Sequence, residues 1–186
     1  MDPDEILLDS EAAMEKAFDY MSHEFSSVRT GKASPALVEN IDVEAYGAAM
    51  KLKQLAVIST PEARLLVIQP FDASTTKDIE KAIKESKLGI NPAVDGKIIR
   101  LPIPALTEER RKDLVKGIKQ MAEEARVRIR SARREGIDAL KKSQKDGEIT
   151  EDELASYEKE TQKLTDGYVK KIDDLLASKE AEIMKV

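Results

Sequence analysis

Cysteine and tryptophan are absent from the 186 residues, histidine occurs once, and aromatic side chains make up only 4% of the chain. Without a thiol there is no disulfide, no thiol nucleophile and no thiolate metal site. A single imidazole, His23, removes the common zinc constellations and the Ser-His triads. Three Phe and four Tyr leave the core to aliphatic side chains and alanine, a composition that suits long amphipathic helices. No run approaches the roughly 18 uninterrupted apolar residues of a membrane span. Met1-Asp2-Pro3-Asp4-Glu5 is acidic where a secretory or organellar presequence is basic, so a cytoplasmic protein is expected, and a bacterial cytosol over an organelle. Carboxylates are plentiful, yet none sits in a motif that singles out a catalytic pair, and no enzymatic activity is expected.

What is abundant is charge, 36% of residues, and it is unevenly spread. Residues 1–30 hold two Lys/Arg against eight Asp/Glu, residues 108–147 hold thirteen against eight, and residues 148–186 hold six against eleven. An acidic chain of net charge −5 therefore carries one basic segment between two acidic ones. General coating of nucleic acid is disfavoured, whereas a local phosphate-binding face is allowed.

Apolar residues at Met14, Ala17, Met21, Phe25 and Val28 recur in steps of three and four, which predicts a helix from about Pro3 to Arg29. Thr30-Gly31 and Ser34-Pro35 stop it. Short β-rich runs follow at Ile41 to Tyr46, Leu55 to Ile58, Leu65 to Ile68 and Ile98 to Leu101, separated by turn signals such as Tyr46-Gly47, Thr60-Pro61 and Asp95-Gly96. One helix interrupts them, capped by Ser74 or Thr75 and packed through Ile79, Ala82 and Ile83. After the stiff connector Leu101-Pro102-Ile103-Pro104, Thr107 caps a second long helix with the stripe Leu114, Ile118, Met121, Ala125, Ile129 and Ala132. Asp146-Gly147 turns the chain, and Thr150-Glu151-Asp152-Glu153 opens a third long helix as a capping box. The expectation is an α+β protein of two domains. An antiparallel three-helix bundle takes residues 1–30 and 106–186, and a small β/α/β domain, residues 31–105, is inserted into it.

On a helical wheel of the second long helix, Lys112, Lys116, Lys119, Arg126, Arg130, Arg133 and Arg134 fall within about 100° of arc, and the apolar stripe centres about 135° away. From 110 to 134 there are ten Lys/Arg and three Asp/Glu. Guanidinium forks suit phosphate oxygens and stack on exposed bases, so the row predicts contact with a structured RNA backbone. The alternative for the same residues is a solvated face balanced by surface ion pairs with the acidic helices.

Other motifs carry less. Gly31-Lys32-Ala33 has Ser26 in place of the earlier glycine of a phosphate loop and Ala33 in place of its hydroxyl, and reads as a turn. Asp146-Gly147-Glu148-Ile149 with Glu153 matches the back half of a calcium loop, but Lys142 stands at the first ligand position. Gly136, inside the second long helix, is unfavourable by about 1 kcal/mol and is expected to mark local looseness. The rod-like helices and acidic net charge also suit a helical chaperone or adaptor that binds protein clients through an apolar surface.

Several blocks settle the direction: Val28-Arg29-Thr30-Gly31-Lys32-Ala33-Ser34-Pro35, Leu88-Gly89-Ile90-Asn91-Pro92, Ile99-Arg100-Leu101-Pro102-Ile103-Pro104, Leu106-Thr107-Glu108-Glu109-Arg110-Arg111-Lys112, Arg133-Arg134 and Gln162-Lys163-Leu164-Thr165-Asp166. In these, and in their order along the whole chain, the sequence resembles the ribosome recycling factor family. No cofactor, metal, DNA or membrane partner is expected, and a closed three-helix core argues for a monomer; the resemblance implies an L-shaped molecule of tRNA-like dimensions. It implies binding to the post-termination ribosome and separation of its subunits with elongation factor G, which uses the GTP. It places the bundle on large-subunit rRNA and matches the family's functional arginines to Arg29, Arg111, Arg130 and Arg133. Lys32 stands where many members carry Arg, which keeps the charge and loses the fork. With the wheel residues and Arg110 added, the expected RNA-binding set is Arg29, Arg110, Arg111, Lys112, Lys116, Lys119, Arg126, Arg130, Arg133 and Arg134. Hinges are expected at Thr30, Gly31, Pro104 and Ala105.

Overall fold

The structure, a computed structural model, describes residues 1–185. Two compact units divide it: residues 1–25 with 115–185, and residues 26–114. The first is built from α1 (Pro3–Ser26), most of α4 (Glu108–Lys145) and α5 (Glu151–Met184). Met14, Met21, Ile118, Ile129 and Ile172 are fully buried, each at a position the helical stripes mark. Side-chain contacts fix the directions. Ser10 meets Gly136 and Tyr20 meets Arg128, so α1 and α4 are antiparallel; Arg126 meets Asp173 and Lys119 meets Glu180, so α4 and α5 are antiparallel too. Thr107 caps the start of α4, its Oγ1 accepting from the Arg110 N–H at 3.1 Å. At the other end Gly147 takes φ 74°, and the Glu148 and Gly147 N–H groups donate to Ser143 and Gln144, a Schellman closure. Thr150 and Glu153 form the expected capping box of α5.

In the second unit, β3 (Ala56–Glu62), β4 (Leu65–Pro70), β6 (Ile98–Pro102) and β5 (Ala93–Asp95) form an antiparallel sheet in the order β3-β4-β6-β5. A separate hairpin pairs β1 (Asp42–Ala45) with β2 (Ala48–Lys51), a short α2 (Leu52–Leu55) follows it, and α3 (Thr76–Glu85) lies between β4 and β5. Leu66, Ile68, Ile79, Ile83, Ile99 and Leu101 make one aliphatic core. The hairpin turns on Tyr46 and Gly47, φ 54° and 75°, the left-handed pair a two-residue loop needs. Tyr46 is an unusual residue there, and its phenol donates to Asp72 at 2.7 Å.

The structure departs from expectation at several places. α1 ends at Ser26, three residues before Arg29. Pro61 does not end its strand: β3 runs on to Glu62 through a register shift, where a proline without an N–H is tolerated. Thr75 stands at the N-cap of α3, as expected, but its side chain makes no capping bond to the helix and donates to the Asp72 carbonyl at 2.7 Å instead. Asp72 accepts from the Ser74 N–H at 2.9 Å and starts a 3-10 turn, Ala73–Thr75, that leads into the helix. Gly136 is no loose point. It is buried against α1, and a β-carbon there would collide with the Ser10 hydroxyl.

Candidate nucleic-acid interface

The cationic row on α4 is outward-facing, but it is not uniform. Lys112, Lys116, Lys119, Arg130 and Arg134 are exposed. Lys112 lies 3.5 Å from Glu108 and Lys119 3.7 Å from Glu180, long and solvated pairs that hold neither amine firmly. Lys116 and Arg134 have no ion pair among the described residues. Arg130 touches Glu123 at 3.5 Å with half its side chain in solvent.

Arg126 differs. Its side chain is only 18% exposed; Nε and Nη2 both donate to Asp173 Oδ1, at 3.1 and 2.6 Å, and Nη1 donates to Glu123 at 3.1 Å. The hydrogen bond to Asp173, ahead of the one to Glu123, raises its pKa from the ordinary arginine value in spite of desolvation. Its donors are largely taken up by α5 and by its own helix. At this one position the ion-paired alternative describes the residue, and the reason is Asp173, which faces Arg126 from the neighbouring helix.

Arg133 is half-buried and aimed by a chain of amides: its Nη1 donates to Gln162 Oε1 at 3.0 Å, and Gln162 Nε2 donates to Asp166 at 2.8 Å. In the other unit, Arg29 leaves α1 with its Nη2 donating to the Pro104 carbonyl at 2.9 Å, so the segment following α1 is tied to the segment preceding α4. Burial, then repulsion by Arg110, lowers the pKa of Arg29, which remains charged at neutral pH. Arg110 is exposed and Arg111 half-buried. Of the expected hinge residues, Gly31 takes φ 84° beside Leu106, Pro104 supplies the carbonyl to Arg29, and Thr30 and Ala105 sit in irregular backbone.

Among the described residues, the buried side-chain nitrogen and oxygen atoms without a hydrogen-bond partner all belong to arginines: the Nε of Arg29, of Arg111 and of Arg133. A buried donor left unmade costs about 1–3 kcal/mol, so its persistence calls for an explanation. In each case the inner nitrogen of the guanidinium is shielded from solvent. Wheel geometry did not foresee the partners of the guanidiniums on α4: Gln162 for Arg133, Asp173 for Arg126, and Glu123 for Arg126 and Arg130. Glu123 could have been found, because it falls at about 60° on the same wheel, inside the cationic arc. No group of His, Asp and Glu suited to a metal ion occurs among the described residues, and no helix there is long and apolar enough to cross a membrane.

A long-helix bundle with an outward cationic row, continuous in chain with a small antiparallel-sheet unit, defines a two-domain α+β protein. The profile of the ribosome recycling factor family matches residues 21–184. The ribosome-recycling factor of Akkermansia muciniphila is 60% identical over 188 residues, 100% of both chains, and that of Halalkalibacterium halodurans is 54% identical over 182 residues, 98% of each. A solution structure of the ribosome recycling factor superposes with a TM-score of 0.82 at 44% identity, covering 100% of this chain and 99% of that one. A second structure matches with a TM-score of 0.70 at 44% identity and full coverage of both chains. It comes from models for the T. thermophilus ribosome recycling factor and the E. coli elongation factor G bound to the E. coli post-termination complex. The chain belongs to the ribosome recycling factor family, a family of translation factors rather than enzymes.

Proposed function

We propose that this chain binds the post-termination ribosome in the cytoplasm and, with elongation factor G and the GTP that factor hydrolyses, separates the subunits and releases the mRNA for another round of translation. Family membership and the relative bound beside elongation factor G support this reading. The contact with large-subunit rRNA is assigned to Arg29, Arg110, Arg111, Lys112, Lys116, Lys119, Arg130, Arg133 and Arg134, with Arg126 as a strut that holds α4 to α5.

One observation carries the assignment. The buried, unpartnered Nε atoms belong to Arg29, Arg111 and Arg133, three of the four arginines that the resemblance implies are functional. An arginine whose inner nitrogen is packed in place loses little rotamer freedom when its outer N–H groups meet a phosphate, and phosphate is the acceptor that repays ordering it. The protein then contributes binding and leverage and no bond chemistry. α4, 38 residues and about 57 Å long, transmits displacement without absorbing it. Thr30, Gly31, Pro104 and Ala105 are the hinges at which the smaller unit reorients.

Subunit separation followed by light scattering tests the reading. Post-termination ribosomes should split only when this chain, elongation factor G and GTP are all present. Splitting without the chain, or none with all three, contradicts it.

A further inference from the structure

The carboxylate inside the cationic row has not been accounted for by binding or by folding. Glu123 lies on α4 one turn before Arg126 and two turns before Arg130, and its two oxygens divide between them: Oε2 accepts from Arg126 at 3.1 Å, and Oε1 meets Arg130 at 3.5 Å. Arg126 needs little from it, because Asp173 already holds that guanidinium at 2.6 Å. Arg130 is a different case. Its one ion pair is with Glu123, the contact is long, and both side chains are half exposed, so a stronger anion displaces it readily.

We propose that Glu123 is a positioning residue that acts as an internal stand-in for phosphate: it keeps Arg130 pointed along the row in the free protein and competes with RNA for it in the complex. This rests on the reading of α4 as the RNA-facing helix. Its consequence is a face tuned below its highest attainable affinity. A factor that must leave the ribosome after each round gains from an arginine whose contact with RNA is opposed by a carboxylate that returns on release. The contact with Arg130 fits this role better than a structural one, since an exposed pair 3.5 Å long contributes little to stability.

The test is equilibrium binding of the full chain to isolated large ribosomal subunits across a range of salt, with Glu123→Gln beside three controls. Glu124→Gln changes net charge equally, but Glu124 accepts from Gln120 and from no arginine of the row. Arg130→Gln removes the contested guanidinium, and Glu123→Gln combined with Arg130→Gln asks whether the two act through each other. Removing one opposing surface charge should tighten binding about threefold at low salt, with a smaller gain for Glu124→Gln. The gain should fade as salt rises and vanish in the combined variant. Unchanged or weaker binding by Glu123→Gln, an equal gain from Glu124→Gln, or a gain that survives without Arg130 would each overturn the proposal while leaving the RNA-facing reading intact. If Arg130→Gln binds like the parent chain, the face itself is wrongly assigned and the proposal falls with it.

Discussion

Gly136 shows how one residue's meaning depends on what lies across from it. Read along the helix alone it is a weak point; in the bundle it faces Ser10 of α1, whose hydroxyl occupies the space a β-carbon would need. Gly136→Ala should therefore destabilise by about 1–3 kcal/mol despite alanine's better helix propensity, as overpacking does. Ser10→Ala should restore part of the loss. Gly117, also within α4 but with open space where a β-carbon would stand, should instead gain up to about 1 kcal/mol on substitution by alanine. Urea denaturation of Gly136→Ala, of Gly136→Ala combined with Ser10→Ala, and of Gly117→Ala checks this; equal responses at positions 117 and 136 would contradict it. Tyr157 provides a second residue-level test. Its phenol donates to Asp4 at 2.7 Å, and that bond, with smaller effects of desolvation and the charges of Asp4, Asp2 and Glu160, pushes its pKa up to about 12. Because the folded value lies above the unfolded one, the stabilisation is whole below about pH 10 and is lost as pH rises toward 12. In a phenolate absorbance titration, Asp4→Ala should move one tyrosine transition down, and an unmoved profile would refute the pairing. Neither residue's role was legible in the sequence, since both depend on partners more than a hundred positions away.

At the scale of elements, legibility tracked local signal. The three long helices declared themselves through periodic stripes and caps, because a helix of this length repeats its pattern many times and its capping residues act within four positions. Thr150→Ala should cost about 1 kcal/mol in thermal or urea unfolding, with the loss confined to the start of α5 in amide exchange; an unchanged midpoint would show that the cap contributes nothing. The small unit was less readable. β2 is Ala48-Ala49-Met50-Lys51 and β5 is Ala93-Val94-Asp95, too short and too exposed to alternate visibly, and both exist because a neighbouring strand pairs with them. α2 is a single turn set between two strands, and the turn into α3 begins at Asp72, two residues before the expected cap. The cationic row was read correctly as an exposed face in outline. Arg126 was not separable from it, since the wheel places a residue on its own helix and says nothing of Asp173 on the next.

For the whole molecule, the division into a helical unit and a sheet unit follows from a change of period along the chain, from three and four to two and back again. What the chain does was carried by the resemblance and is supported by family membership; the composition excluded much and selected little. The account's central claim is that the outer edge of α4 meets ribosomal RNA through its exposed Arg130 and its half-buried Arg133. Cosedimentation of the Arg130→Glu, Arg133→Glu double variant with large ribosomal subunits, over rising salt and with helicity verified by circular dichroism, tests it most directly. The account predicts that the parent chain binds with a steep loss of affinity as salt rises, whereas the helical double variant fails to pellet with the subunit. A folded double variant that cosediments as the parent does, with the same dependence on salt, would contradict it.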